Sequence, residues 1–430
     1  MRICLYNTPG KKDAGSFDKI MWCPLSVDIV HIAQFFRKNS IADTALCIES
    51  VFRKYFTGDE DPKMNFFDAE TSPHPHKERL IAFYSQSDTL ANNTYCLISG
   101  NPDYKYINYV PSGKAENANH FFAQKNIPCN RYSFRHLKES RPDVMVLYND
   151  WTKAAIRVIA QCHLLRTPVV CIQESIIDFG DSFRRMQHAD DVMIQGVRSS
   201  ILLPRNHFYL TGNPRYYLSG SEEKASEYAL VNCNFTYNIF EEIRTLWLDD
   251  VTSVLDEAGI NYLISQHPRD TGDLGKYKNV VKSSSTGVDE QLGKAGLLIT
   301  RFSSLIHESL IRGVPVIYYN PHNEKMLYDF DFNGDFLVMA RDKKSLKECI
   351  STLYKKNITG KELELYLNEH CLPVMTKPVS NINYLMSEND FSKVRFTFPD
   401  LIHLIIYQPF LVRFVQRLRK LLPGLSEPVN

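Results

Sequence analysis

The side chains best suited to chemistry crowd into one stretch, Thr300-Arg301-Phe302-Ser303-Ser304-Leu305-Ile306-His307-Glu308-Ser309-Leu310-Ile311-Arg312. It is set between the apolar runs Gly296-Leu297-Leu298-Ile299 and Gly313-Val314-Pro315-Val316-Ile317. Two hydroxyls on a turn that leads from a buried strand into a short helix stand beside free backbone N–H groups at the positive helix end. Such a turn holds a phosphate without a metal. The stretch therefore reads as the mono- or diphosphate site of an enzyme acting on a nucleotide sugar. Glu308 lies four residues after Ser304 and so shares a helix face with it. It can accept ribose hydroxyls, or it can serve as an acid in the first turns of a helix capped by Ser304. The ribose role is favoured, because a capping glutamate belongs at the third helical position, which is His307.

His267-Pro268 follows the strand-like Tyr262-Leu263-Ile264-Ser265 after the single residue Gln266. That is the carboxyl end of a parallel strand, where open α/β sheets place their ligands. The imidazole can donate to a phosphate or neutralise a departing nucleotide, although a His-Pro pair also serves as a plain turn. Its place in the same alternating series as Ser303 and Ser304 ties them to one nucleotide cleft.

The elements that must position these residues alternate between apolar strands and amphipathic stretches, the signature of parallel sheets covered by helices. Val144 to Tyr148, Lys153 to His163 and Pro168 to Ile172 form one βαβ unit. A second series begins at Ala229 and runs through a long helix from Asn238 to about Ala258 and a strand from Asn261 to Ser265. It continues with a helix near Val288 to Ala295, a strand from Gly296 to Thr300, a helix from Ser304 to Arg312 and a strand from Val314 to Tyr319. The expected fold is α/β: two Rossmann-like domains facing each other across a cleft, with a helical tail. Residues 1–218 make the N-terminal acceptor domain, 219–228 the linker and 229–385 the nucleotide-sugar domain. The helical segment 386–430 either returns to the first domain or lies on a membrane. Residues 58–76, rich in Asp, Glu, Pro, Lys and His, follow neither period and read as an exposed insertion.

Composition narrows the partners. An apolar fraction of 44% with 23% charged residues suits a globular protein, and a net charge of +1 gives no general attraction for nucleic acid. Ten cysteines include no C-x-x-C pair, and several sit in apolar runs as reduced core thiols do. With no signal-peptide pattern at Met1-Arg2-Ile3-Cys4, the expected compartment is the cytoplasm, and the sequons at Asn92, Asn234 and Asn357 read as chance. After Pro409, Phe410, Phe414, Leu418, Leu421 and Leu422 fall at helical spacing, while Arg413, Arg417 and Lys420 fall on another face. Such a basic amphipathic segment over 409–422 can lie on the inner-membrane surface, pack on its own protein or lead into a further domain.

Taken in order, Gly212-Asn213-Pro214-Arg215, the strand at Val231, His267-Pro268, Ser303-Ser304 with Glu308, and Gly313-Val314-Pro315-Val316 resemble the nucleotide-binding half of a GT-B glycosyltransferase. Within that group the likeness is to bacterial sialyl- and Kdo-transferases, which use CMP-activated ulosonic acids and share a His-Pro motif. It is greatest to the retaining β-Kdo transferases of O-antigen or capsule synthesis, and it spans about residues 170 to 320.

The resemblance implies a CMP-Kdo or related CMP-sugar donor, a lipid-linked or oligosaccharide acceptor, no metal and no cofactor. CMP would be held by His267, Pro268, Arg269, Arg301, Ser303, Ser304 and Glu308. The donor carboxylate would meet Arg301 first, with Arg269 and Arg215 behind it. The family's acidic motif falls on Gln173-Glu174-Ser175-Ile176-Ile177-Asp178-Phe179-Gly180. There Ser175 and Ile176 replace the second acid and the glycine, leaving Glu174 as the base. The family's aspartate nucleophile falls on Asn232, an amide. That implies an inactive variant at this position, or a reaction carried by another residue. Asp329-Phe330-Asp331 matches a D-x-D metal motif but lies after the phosphate turn, and reads as chance. Two alternatives are a non-hydrolysing UDP-sugar 2-epimerase and a non-catalytic, membrane-associated assembly partner with a degenerate nucleotide site.

Overall fold

The computed structural model describes residues 2–6, 20–24, 63–66, 79–100, 105–111, 116–176, 185–201, 207–216, 226–236, 239–283, 287–325, 328–371, 382–383, 386 and 394–406. In the N-terminal half, β1 (Arg2–Tyr6) and β2 (Ile20–Pro24) pair as an antiparallel hairpin. The main sheet is built from β3 (Lys63–Phe66), β4 (Leu80–Tyr84), β5 (Lys105–Val110), β6 (Asn130–Arg131), β7 (Val144–Leu147), β8 (Val169–Ile172), β9 (Asp191–Ile194) and β10 (His207–Leu210). Between them come α1 (Asp88–Ser99), α2 (Glu116–Gln124), α3 (Phe134–Ser140), α4 (Lys153–Leu164) and α5 (Val197–Ile201). β7, β8 and β9 are buried at every position, as strands covered on both faces must be. All pairings in this sheet are parallel, in the order β3-β10-β9-β8-β7-β4-β5-β6.

The second sheet holds β11 (Tyr228–Cys233), β12 (Tyr262–Gln266), β13 (Val280–Lys282), β14 (Ala295–Thr300), β15 (Val316–Tyr319) and β16 (Leu337–Ala340). Around it lie α6 (Arg244–Glu257), α7 (Gly287–Gly293), α8 (Leu305–Ile311), α9 (Lys343–Leu353) and α10 (Lys361–His370). It too is parallel, in the order β13-β12-β11-β14-β15-β16. The first strand thus sits mid-sheet, with its two successors on one side and the later strands on the other, as in a dinucleotide-binding fold. β4 holds the same place in the N-terminal sheet. Each sheet therefore has a switch point, between β4 and β7 and between β11 and β14, where successive crossovers diverge and leave an open crevice. Leu230 and Leu298 pack on one face of the second sheet, Val231, Ile299 and Trp247 on the other.

The helix expected from Asn238 starts later. Phe240 has φ 55, which a bulky side chain adopts only under constraint, and a single 3₁₀ turn over Glu241–Ile243 precedes α6. The 58–76 stretch also needs correction as a simple insertion, because Lys63–Phe66 within it adds β3 in parallel beside β10. An edge strand has only one neighbour to satisfy, so its sequence carries little periodic signal.

After α10 the chain returns to the N-terminal sheet. Ile382 and Met386 pack with Phe83, Leu90 and Leu97, and the Asn383 amide donates to the Leu97 carbonyl at 3.2 Å. α11 (Phe398–Ile406) then packs along α4. The basic segment 409–422 lies outside the described residues. Among those described, no helix is long and apolar enough to cross a membrane.

Polar contacts join the two halves. Arg198 on α5 pairs with Asp331 and, at 3.0 Å, with Glu369 on α10. Gly196 lies so close to α10 that a Cβ there would fall 2.2 Å from the His370 carbonyl, so only glycine fits.

Candidate functional site

The carboxyl ends of β11, β12 and β14 bring Asn232, Ser265 and Thr300 into one row across the sheet. Asn232 is 7% exposed, and its amide donates to the Thr300 hydroxyl at 2.9 Å. That hydroxyl gives its own proton to the Arg301 carbonyl at 2.8 Å, so toward residue 232 it can only accept. These surroundings are those of an amide: a carboxylate at 232 would face a lone pair until Thr300 rotated and released Arg301.

Arg301 does not stand open to a donor carboxylate. It is 3% exposed and paired with Glu324, Nη2 to Oε1 at 2.5 Å and Nε to Oε2 at 3.3 Å. Its Nη1 donates to the carbonyls of Asn234 (3.3 Å) and Ile239 (3.2 Å), while the guanidinium lies over Phe235 and the strained Phe240. Its donors are thus turned inward, and it braces the loop after β11. Burial would push the Glu324 carboxyl up, but His322, with Nε2 3.6 Å away, and hydrogen bonds from Arg301 and the Tyr318 hydroxyl hold it below its usual range.

The hydroxyl turn forms where β14 meets α8, with a division of labour that its spacing did not reveal. Ser303 Oγ accepts the Leu305 N–H at 3.2 Å, so it is the residue that satisfies the helix start. Ser304 already has helical dihedrals and its side chain makes no cap. Capping by Ser304, the alternative to the ribose role, thus gives way to a contact from Ser303.

On the neighbouring strand, the loop Gln266-His267-Pro268-Arg269-Asp270 turns tightly: His267 N–H donates to the Cys233 carbonyl (2.8 Å) and Asp270 N–H to the His267 carbonyl (2.9 Å). Asp270 is fully buried and takes Arg244 Nη2 at 2.9 Å, Gly272 N–H at 2.9 Å and Phe235 N–H at 3.3 Å. It bolts the loop down, a role the sequence reading missed. His267 stays half-buried while Pro268 and Arg269 are exposed. His267 Nδ1 accepts the Arg269 N–H at 3.1 Å, which leaves the proton of a neutral ring on Nε2. Burial first, then the Arg269 charge, hold this histidine below its usual pKa; Asp88 of α1, in the other half of the molecule, pulls the opposite way.

Glu308 on α8 meets Arg215 at 3.5 Å, each side chain 13% exposed. Burial raises the Glu308 pKa, and Arg215 offsets this in part. Arg215 also donates to the Glu174 carbonyl at 3.1 Å, and Asn213 donates to the carbonyls of Gln173 (3.3 Å) and Glu174 (3.2 Å). Glu308, Arg215, Asn213 and half-buried Glu174 are thereby drawn together between the two sheets. Asp178 and Gly180 lie outside the described residues.

The N-terminal switch point adds polar groups that went unnoticed. Gln86, after β4, donates to the Thr152 hydroxyl at 3.0 Å, and Thr152 donates to Asn149, after β7, at 3.2 Å. Ser87 and Thr152 cap α1 and α4. Their only signal in the sequence was a cap residue shortly after an apolar strand. Asp331, Glu369 and His370 cluster with the spacing of metal ligands, but the two carboxylates pair with Arg198, and His370 Nε2 bonds to Asp331 at 3.1 Å. Asp331 of the D-x-D string is thus a joint between the halves.

Two Rossmann-like domains, with the carboxyl ends of their strands meeting across a crevice, define the GT-B architecture. No family model and no curated protein sequence matches the chain. Solved structures do. The Staphylococcus aureus MnaA–UDP structure aligns with TM-score 0.52 at 12% identity, over 74% of this chain and 98% of that one. Methanocaldococcus jannaschii UDP-GlcNAc 2-epimerase, solved with UDP-GlcNAc and UDP, aligns with TM-score 0.50 at 13% identity, over 71% and 99%. A glycosyltransferase of kitacinnamycin aligns with TM-score 0.51 at 11% identity, over 73% and 99%. At such identities the likeness is one of fold.

Proposed function

We propose that this chain is a glycosyltransferase that takes a sugar from a nucleotide donor, with a CMP-activated ulosonic acid such as Kdo as the donor and a saccharide hydroxyl as the acceptor. The observation that carries the reading is the set of groups at the carboxyl edge of the second sheet. There a neutral His267 with its proton on Nε2 follows β12, while the Ser303-Ser304 turn and Glu308 follow β14, the two strands on either side of β11. In this reading Nε2–H donates to the departing phosphate, Ser304 Oγ and nearby backbone N–H groups take the other phosphate oxygens, and Glu308 accepts the ribose hydroxyls. Glu174, across from Glu308, receives the acceptor proton. The buried Arg301 holds the loop that carries Asn234 and leaves the donor carboxylate to Arg215 and Arg269. Asn232 orients Thr300, so the reading needs no nucleophile at that position.

Calorimetry with CMP and UDP, followed by incubation of CMP-Kdo with saccharide acceptors, tests the proposal. CMP binding that is lost in His267→Ala, with release of CMP on acceptor addition, is expected. Binding of UDP in preference to CMP overturns the donor assignment. Interconversion of UDP-GlcNAc with its 2-epimer would replace the transferase reading by the isomerase one.

A further inference from the structure

α11 is anchored by one face only. Asp400 and His403 are buried: Asp400 accepts from His163 Nδ1 at 2.8 Å and from the Thr397 N–H at 2.7 Å, and His403 meets the ring of His188 at 5.5 Å. The other face carries Phe398 (72% exposed), Leu401 (43%) and Ile405 (51%), with Phe396 (38%) just ahead of the helix. Positions 398, 401 and 405 fall on a single stripe, opposite Asp400 and His403. Of the eight large apolar side chains exposed among the described residues, four lie within these ten positions, and Leu164 on the supporting α4 is a fifth. Single exposed leucines need no explanation; a contiguous stripe of them does.

The charges that neighbour the stripe in sequence point to what covers it. From residue 391 to 426, a stretch bounded by Glu388 and Asp390 before it and Glu427 after it, the sequence has one acid, Asp400, which is buried against His163. It has six fixed cations: Lys393, Arg395, Arg413, Arg417, Arg419 and Lys420. Seven residues from Ile406, Arg413 can lie no more than about 25 Å from the helix end. The whole chain carries only +1, so this excess is local. We infer that the exposed face of α11 docks on an anionic lipid surface, with Phe396, Phe398, Leu401 and Ile405 entering the interface and the flanking cations meeting lipid phosphates. A second copy fits less well, because a two-fold contact would set these cations against themselves. The inference is independent of the catalytic reading.

Flotation of the full chain with phosphatidylcholine vesicles, and with vesicles that also contain phosphatidylglycerol, tests it. The protein should float only with the anionic vesicles, and less as salt rises. Combining Phe398→Ser, Leu401→Ser and Ile405→Ser, all at exposed positions, should weaken binding about a hundredfold with an unchanged melting temperature. Combining Arg413→Gln, Arg417→Gln and Lys420→Gln should weaken it at least tenfold and flatten the salt dependence. Failure of the unaltered protein to float with anionic vesicles overturns the inference, as does equal flotation of the serine variant. A serine variant that turns a dimer into a monomer with vesicle binding intact would assign the face to a second copy.

Discussion

His163 should make the seating of α11 depend on pH. Its ring is 5% exposed, with Nδ1 at 2.8 Å from Asp400 and Nε2 at 3.1 Å from Asp190, whose carboxylate also takes the Val169 N–H at 2.8 Å. Two acceptors on two ring nitrogens require both protons. Burial alone would lower the pKa, but hydrogen bonds and charge from Asp190 and Asp400 raise it to about 9. Asp400 responds in kind: burial pushes it up, and the contact with His163 holds it below its usual value. With an unfolded value near 6.5, the folded state binds the proton more tightly, so the stabilisation is complete below about pH 6.5 and disappears as pH rises through 9. A shift of that size corresponds to about 3 kcal/mol at most. The clean measurement is the difference in urea unfolding free energy between the unaltered protein and His163→Asn at pH 6.5 and at pH 9.5, which cancels the other titrating groups. The difference should shrink by about 2 to 3 kcal/mol at the higher pH, with trypsin cutting at Arg395 sooner there. A difference independent of pH would refute the charged, doubly bonded imidazole.

Four substitutions separate binding groups from braces. Ser304→Ala should weaken CMP binding by about 1.5 to 3 kcal/mol without changing stability, whereas Ser303→Ala should also cost about 1 kcal/mol of stability through the lost helix-start contact; equal melting temperatures for the two would undo the division. Arg301→Ala should destabilise the second domain by about 3 to 5 kcal/mol, since it strands Glu324 in the interior. A well-folded Arg301→Ala protein with donor binding selectively lost would restore the donor-carboxylate role. Asn232→Asp should lower stability by about 1 to 3 kcal/mol, because Thr300 must surrender its bond to the Arg301 carbonyl; a raised melting temperature together with a sugar adduct on the new aspartate would show a pocket built for the acid.

What could be read from the sequence followed the range of the forces involved. β8, β11, β12 and β14 announced themselves because a strand covered on both faces carries a near-continuous apolar run, a property of consecutive residues. The order of those strands, and with it the two switch points, depends on pairings between segments far apart, such as Tyr228–Cys233 with Ala295–Thr300. The same limit governs the site. His267, Ser303, Ser304 and Glu308 were found because each stands at a strand end or helix start that its immediate neighbours define. Arg301 reads as a donor ligand because a sequence shows a charge but not its partner, and Glu324 lies 23 residues on. Arg215 is one of three candidates for the donor carboxylate, and its contact with Glu308 joins a turn after β10 to a helix of the other half. His163 shows the limit most plainly: within α4 it is a polar interruption at the end of an apolar helix, and nothing local distinguishes it from a surface residue. Only Asp400, 237 residues later, makes it the charged anchor of α11, and that anchoring in turn leaves Phe398, Leu401 and Ile405 facing outward.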